Sequence, residues 1–281
     1  MTTTIFQLLN QAKLTLSHFS SSPTLDAEIL LAFVLEKERI YLHIHANQPV
    51  ESEHYHYFWQ LIERRKTGYP IAYIIGYREF WGLTFLVNSH VLIPRPETEL
   101  LVELVLQHYP KDYPVNVVDL GTGSGAIALA IAKERPNWKI TAVDISSEAL
   151  AIAKINAEKL NIANVCFLLS DWFQNMGHQK FDLIIANPPY IAKEDMHLQI
   201  GEIKFEPSLA LVAKKAGYAC IEKIILDSKL YLNPTGKVYL EHGFNQAKKI
   251  QAFFEKLGYI NILCKEDFSG HSRVTMASLA Q

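Results

Sequence analysis

The chain has 281 residues, 49% of them hydrophobic, and a formal net charge of −2. That size supports two domains or one large one. The near-neutral balance lacks the basic footprint of a protein that tracks a nucleic-acid backbone, and no apolar run is long enough to span a membrane. Three cysteines, Cys166, Cys220 and Cys264, form no C-x-x-C pair, and an odd number cannot all bridge one another. They read as small buried hydrophobes. With an opening Met1-Thr2-Thr3-Thr4 that lacks the basic start of a secretory signal, they point to a reducing cytoplasm.

Residues 1–80 read as a helical bundle. Ile5, Leu8, Leu9, Ala12 and Leu16 share one helical face. Thr24 is an expected cap ahead of Ile29, Leu30, Phe33 and Val34. Tyr55, Phe58, Leu61, Ile62 and Arg65 mark another amphipathic helix. Basic runs at Arg64-Arg65-Lys66, Lys214-Lys215 and Lys248-Lys249 read as solvated helix faces. His43, His45, His54 and His56 form two H-x-H pairs, but no cysteine or carboxylate cluster joins them, so surface histidines are expected rather than a metal site.

Between about Phe80 and Val91 the chain alternates, with Phe80, Leu83, Phe85 and Val87 apolar, and a hairpin linker over 81–95 is expected. From Pro96 to the end at 281 helix and strand alternate, which implies a mostly parallel, doubly wound α/β sheet. Its late strands, Lys237-Val238-Tyr239-Leu240, Ile260-Asn261-Ile262-Leu263 and Val274-Thr275-Met276-Ala277, crowd together as an antiparallel edge.

Three strand ends carry polar groups. Val115 to Leu120 runs into Gly121-Thr122-Gly123-Ser124-Gly125, then an apolar helix from Ala126. Such glycines let a backbone adopt positive φ and approach a ligand. Lys139-Ile140-Thr141-Ala142-Val143 ends in Asp144, where an acid commonly takes the ribose hydroxyls of a nucleotide cofactor. The glycines alone also fit the dinucleotide pattern G-x-G-x-x-G/A, which leaves a nicotinamide enzyme open. Asp119 favours a cationic cofactor, because its carboxylate would repel a pyrophosphate. Val165-Cys166-Phe167-Leu168 leads to Ser170-Asp171-Trp172, where Asp171 could accept from an adenine amino group and Trp172 could stack on the ring. As plain structure the same two residues would be a helix cap and a core aromatic.

The most informative stretch is Asn187-Pro188-Pro189-Tyr190, after the buried strand Phe181-Asp182-Leu183-Ile184-Ile185-Ala186. Two prolines cannot continue a strand, so the chain leaves the sheet in a stiff turn at the edge where α/β proteins bind ligands. Such a turn suits methylation of a planar nitrogen. Amide nitrogens are poor nucleophiles because their lone pair is delocalised. The Asn187 side-chain oxygen and Pro188 carbonyl can accept from the two N–H groups and aim that nitrogen, while Tyr190 lies against the flat face. His242 follows Glu241 at a strand end but has no orienting neighbour, and no general-base role is assigned to it.

These residues resemble Rossmann-like methyltransferases that use S-adenosylmethionine, and more narrowly the release factor glutamine methyltransferase family. The likeness covers nearly the whole chain. It includes Leu25-Asp26-Ala27-Glu28, Pro70 to Gly76, Glu79-Phe80-Trp81-Gly82, Ile93-Pro94-Arg95-Pro96-Glu97-Thr98-Glu99, Phe205-Glu206-Pro207, Ala210-Leu211, Glu241-x-Gly243 with Gln246, and Asp267 with Gly270 and Arg273. The resemblance implies a Rossmann-like methyltransferase sheet; the helical bundle of residues 1–80 before it is expected to recognise the protein substrate, since a lone glutamine side chain offers too little surface for specificity. It implies peptide chain release factors as that substrate, with methylation of the glutamine of their Gly-Gly-Gln tip at N5. It carries S-adenosylmethionine contacts onto Gly121, Thr122, Gly123, Ser124, Gly125, Asp144, Trp172 and Asn187, and the glutamine amide onto Asn187, Pro188, Pro189 and Tyr190. After Ala210-Leu211 the family usually has a glycine-bearing turn where this chain reads Val212-Ala213-Lys214-Lys215-Ala216-Gly217, and none of these contacts falls there. Methylation of a ribosomal-protein glutamine or of a nucleic-acid amino group are the alternatives.

Overall fold

A computed structural model describes residues 3–280, in two compact units. The first runs to Tyr77 and takes in Gln199–Phe205. It holds α1 (Ile5–Leu16), α2 (Pro23–Val34), α3 (Arg39–Ile44), α4 (Ser52–Lys66) and α5 (Ile71–Ile75). The stripe seen in the sequence is the buried one, with Ile5, Leu8, Ala12 and Leu16 in the core. A reciprocal pair of hydrogen bonds between Thr4 and Gln7 closes the start of α1. The expected cap on α2 is corrected: Pro23 opens that helix, Ser22 is its cap position, and Thr24 lies inside the first turn. Proline's fixed φ suits a first helical position and its missing N–H costs nothing there.

The basic run on α4 is not wholly solvated. Arg65 lies seven residues after Phe58, on the same face, and is 4% exposed. Its guanidinium pairs with Asp26 and Glu202, each at 2.7 Å, and donates to the Tyr69 carbonyl. An unpaired charge could not be buried this way. The histidines bind locally, His56 Nδ1 to the Ser52 carbonyl and His43 near Glu28. No metal-binding cluster occurs among the described residues.

The second unit opens with a hairpin of β1 (Tyr77–Phe80) and β2 (Leu83–Leu86), earlier than the alternation placed it. Trp81 and Gly82 join them, both at positive φ, the two-residue turn whose twist matches the flanking strands. A 3-10 turn at Pro96–Thr98 leads into α6 (Glu99–His108), β3 (Asn116–Leu120), α7 (Ala126–Glu134), β4 (Lys139–Asp144), α8 (Ser147–Lys159), β5 (Val165–Leu169) and β6 (Phe181–Ala186). Then follow β7 (Ile191–Ala192), α9 (Ser208–Leu211), β8 (Val212–Ala213), α10 (Ala219–Ser228), β9 (Leu232–Glu241), α11 (Ala247–Lys256), β10 (Tyr259–Glu266) and β11 (Ser272–Leu279).

The main sheet has the order β10-β11-β9-β6-β3-β4-β5, parallel from β9 to β5, with β11 and β10 antiparallel at one edge. Alternation along the strands feeds two cores. Val117, Leu183 and Ile185 pack into one, and Val118, Ile184 and Ala186 into the other. Cys166 is exposed, not buried as expected, because β5 is the far edge of the sheet; Cys220 and Cys264 are half-buried. No helix among the described residues is long and apolar enough to cross a membrane.

Candidate active site

The strand order reverses between β3 and β6, and a cleft of about 490 Å3 opens at the carboxyl ends of these strands. This is where an α/β sheet leaves room for a ligand, because the connections on either side of the switch point run in opposite directions. Gly121, Gly123, Asp144, Asp171, Trp172, Asn187 and Pro189 line it. The sequence thus brought four separate strand ends to one wall.

The glycine turn is fastened from below. Gly121 and Thr122 donate their N–H groups to the Val143 carbonyl, both at 2.8 Å. Gly121 has φ +76°, and a Cβ there would meet the Trp172 ring at 3.5 Å. A Cβ would sit in ordinary contact with the indole, so it is the left-handed backbone that calls for glycine here. Asn156, fully buried on α8, donates to the carbonyls of Ser124 and Leu86 and accepts from the Leu86 N–H. It ties the turn to the hairpin, and nothing in its local sequence announced this. Thr122, Ser124 and Gly125 stand behind the wall rather than on it. So does Asp119: it is 1% exposed and accepts from the Thr122 hydroxyl at 2.7 Å. Its carboxylate braces the turn and does not face the cleft. Burial pushes its pKa up to about 7, against the opposing pull of the Thr122 bond.

Asp144 accepts from the Gly123 N–H at 2.8 Å and the Ser146 N–H at 2.9 Å, one on each carboxylate oxygen. Burial raises its pKa, and those bonds pull it back. Each oxygen keeps a lone pair for a ribose hydroxyl. Asp144, Glu148 and Asp171 line the cleft, and among the described residues no lysine or arginine does. At an effective dielectric near 20, one charge pair 4 Å apart is worth about 4 kcal/mol. A cleft lined by three acids, with His90 its one basic side chain among the described residues, thus disfavours the pyrophosphate of a nicotinamide dinucleotide and suits a cofactor bearing an ammonium and a sulfonium. Together with the glycine approach and Trp172, the residues present fit S-adenosylmethionine.

The turn after β6 is held in several places. Asn187 reaches the cleft, and its Nδ2 donates to Thr98 Oγ1 at 3.2 Å. Pro189 lines the cleft, whereas Pro188 is buried behind it. Tyr190 is not on the cleft wall: its ring packs against the second core and its hydroxyl points to Glu241, 3.5 Å away. The Tyr190 carbonyl accepts from Gln246 Nε2 at 3.1 Å, and a Cβ on Gly217 would stand 2.2 Å from that carbonyl oxygen. Lys215, Ala216 and Gly217 all have positive φ. The segment that departs from the family pattern is thus a tight turn that backs Tyr190, a contact the sequence did not disclose. Arg95 pairs with buried Glu206, and Arg273 with Asp267 while also donating to the His242 carbonyl. His242 has both ring nitrogens engaged, Nδ1 with the Gly243 carbonyl and Nε2 with Thr275, and burial lowers its pKa. It is a fully buried core histidine.

Residues 97–214 match the methyltransferase small domain family, and residues 7–76 match the PrmC N-terminal domain. The chain is similar to a release factor glutamine methyltransferase of Shewanella oneidensis, 46% identical over 97% of this chain and 95% of that protein. It is also similar to one of Aliivibrio fischeri, 45% identical over 92% of this chain and 90% of that protein. Among solved structures, a methyltransferase of Pyrococcus furiosus superposes with a TM-score of 0.54 at 21% identity, over 71% of this chain and 90% of that one. That last likeness speaks to the fold alone.

Proposed function

We infer from the release factor glutamine methyltransferase family, to which this chain belongs, that it methylates the side-chain amide nitrogen of the glutamine in the Gly-Gly-Gln tip of peptide chain release factors. When bound, S-adenosylmethionine supplies a methyl group activated by a sulfonium leaving group. The chain's own task is to bring a sluggish nucleophile to it. Asn187 Oδ1 and the Pro188 carbonyl accept from the two amide hydrogens, which pulls electron density toward the nitrogen and fixes the direction of its lone pair. The acid-lined wall around Asp144 supports the cationic donor in the same cleft. No covalent enzyme intermediate is required, and none of the described groups is needed as a strong base.

The observation that carries this reading is the place of Asn187. It lines the same cleft as Gly121, Gly123 and Asp144, at the end of the strand next to β3, which leads into the glycine turn. A glutamine side chain offers little surface, so contacts remote from the reacting amide should carry specificity. We assign that recognition to the helical bundle of residues 1–80, and place the reaction in the cytoplasm, where three unpaired cysteines are at home. The test is transfer of labelled methyl from S-adenosylmethionine to purified release factor. Label should appear with the parent enzyme and be absent when the glutamine is replaced by alanine. Label on the altered factor at the parent rate would overturn the assignment.

A further inference from the structure

Two buried groups behind the Asn187 turn have no part in the chemistry above. Thr98, 4% exposed, ends the 3-10 turn before α6, and Glu241, 1% exposed, ends β9. Register explains their meeting with the turn. Ala186 lies opposite Leu240 in the parallel pair, so the next residues, Asn187 and Glu241, leave the two strands side by side.

Asn187 Nδ2 donates to Thr98 Oγ1. A hydroxyl has one hydrogen, and while its oxygen accepts from Asn187 that hydrogen must point elsewhere. Glu241 is the acceptor we assign to it, and that bond would favour the ionised carboxylate. Glu241 has lone pairs to spare: Oε1 has a long contact from the Tyr190 hydroxyl, and Oε2 has no hydrogen-bond partner. A carboxylamide has nearly the same shape either way round, and only its partners decide which end is oxygen. With Nδ2 turned to Thr98, Oδ1 is left as the acceptor. Turned over, Asn187 would set its own N–H donors against the N–H donors of the substrate amide.

We propose that Thr98 and Glu241 are positioning residues that lock the Asn187 amide in its accepting orientation. The proposal rests on the reading of Asn187 as the holder of the glutamine amide. Glu241 touches no reacting atom and acts through the Thr98 hydroxyl. Charged and titratable groups around Glu241 are Glu97 beside Thr98, Tyr190 on the turn and Arg273 on β11. Burial raises the Glu241 pKa to about 7, and the Thr98 hydroxyl and Arg273 oppose that rise. Once protonated, Glu241 would donate to Thr98 and release the hydroxyl hydrogen, which could then turn toward Asn187 and favour the flipped amide.

The experiment compares Thr98→Val, which keeps the shape and loses the hydroxyl, with Thr98→Ser, which keeps the hydroxyl. Saturating kinetics with intact release factor are read alongside cofactor affinity by calorimetry. Thr98→Val should lower kcat about tenfold or more with cofactor Kd within about twofold, and Thr98→Ser should recover most of the rate. The parent kcat should fall as pH drops through about 7, and Glu241→Gln should lose that acid limb. Parent-like kcat in Thr98→Val, or Val and Ser variants equally slow, would overturn the proposal; an acid limb unchanged in Glu241→Gln would overturn the part given to Glu241. A parent enzyme that leaves release factor unmethylated overturns the functional reading and this proposal with it. Methylation by the parent with Thr98→Val unimpaired overturns the proposal alone.

Discussion

Two turns stand side by side on the cleft wall, and they reach precision by opposite means. The turn after β3 works by what it lacks. Gly121 and Gly123 have no side chains, adopt positive φ, and let a ligand come close. The turn after β6 works by what it carries: two stiff prolines between an amide held by Thr98 and a tyrosine whose carbonyl is held by Gln246. A cofactor is held by many backbone and carboxylate contacts, so losing one is graded. A single planar amide is held by two acceptors, so losing one is severe. The comparison predicts that changes at the second turn act on rate, and changes at the first act on cofactor affinity.

The largest effect is expected at Asn187. Asn187→Ala should keep the fold and lose about 2–4 kcal/mol of transition-state stabilisation, read as kcat/KM for release factor. A rate near the parent's in a folded variant would break the contrast at its strongest point. Next comes Gly217→Ala. Its new Cβ has no room beside the Tyr190 carbonyl, and its φ of +91° disfavours any side chain. Thermal denaturation should show about 2 kcal/mol or more of lost stability, together with a lower kcat. Unchanged melting and rate would show that this loop does not brace the turn.

At the first turn, Gly121→Ala should raise the cofactor Kd about tenfold, through strain at φ +76° and contact with the Trp172 ring. Titration calorimetry checks this, and a variant with normal Kd but depressed kcat would reverse the division of labour. The smallest effect is expected from Tyr190→Phe. The hydroxyl contact to Glu241 is long, at 3.5 Å, and the ring stays packed. A loss under about 1 kcal/mol in kcat/KM is expected, and a tenfold or greater fall would show that the phenol does more than fill space.

Much of this arrangement was legible in the sequence for a physical reason. Phe181 to Ala186 lies inside a parallel sheet and is buried at every position but half-buried Asp182, so it reads as a nearly unbroken apolar run, and the prolines mark where it must end. The glycine turn and Asp144 follow from strand–turn–helix spacing alone. What stayed hidden was non-local. Thr98 and Asn187 are 89 residues apart, and Asn156 reaches across 70 residues to Leu86. No local periodicity encodes such pairs. The resemblance had flagged Thr98, Glu241, Gln246 and Gly243 as strings without tasks. In three dimensions Gln246 accepts from the Gly243 N–H and donates to Tyr190, while Thr98 and Glu241 stand behind Asn187. The partners of Tyr190 and Asp119 stay hidden for a related reason. Spacing puts a side chain at a strand end but cannot tell whether a buried partner such as Glu241 or Thr122 draws it away from the cleft.

The most direct measurement is to incubate the enzyme with release factor and S-adenosylmethionine, digest with trypsin and locate the added methyl by tandem mass spectrometry. One methyl on the side chain of the Gly-Gly-Gln glutamine is the predicted result. A methyl at any other residue, or a release factor left unmodified while a ribosomal protein or a nucleic acid gains the group, would contradict it.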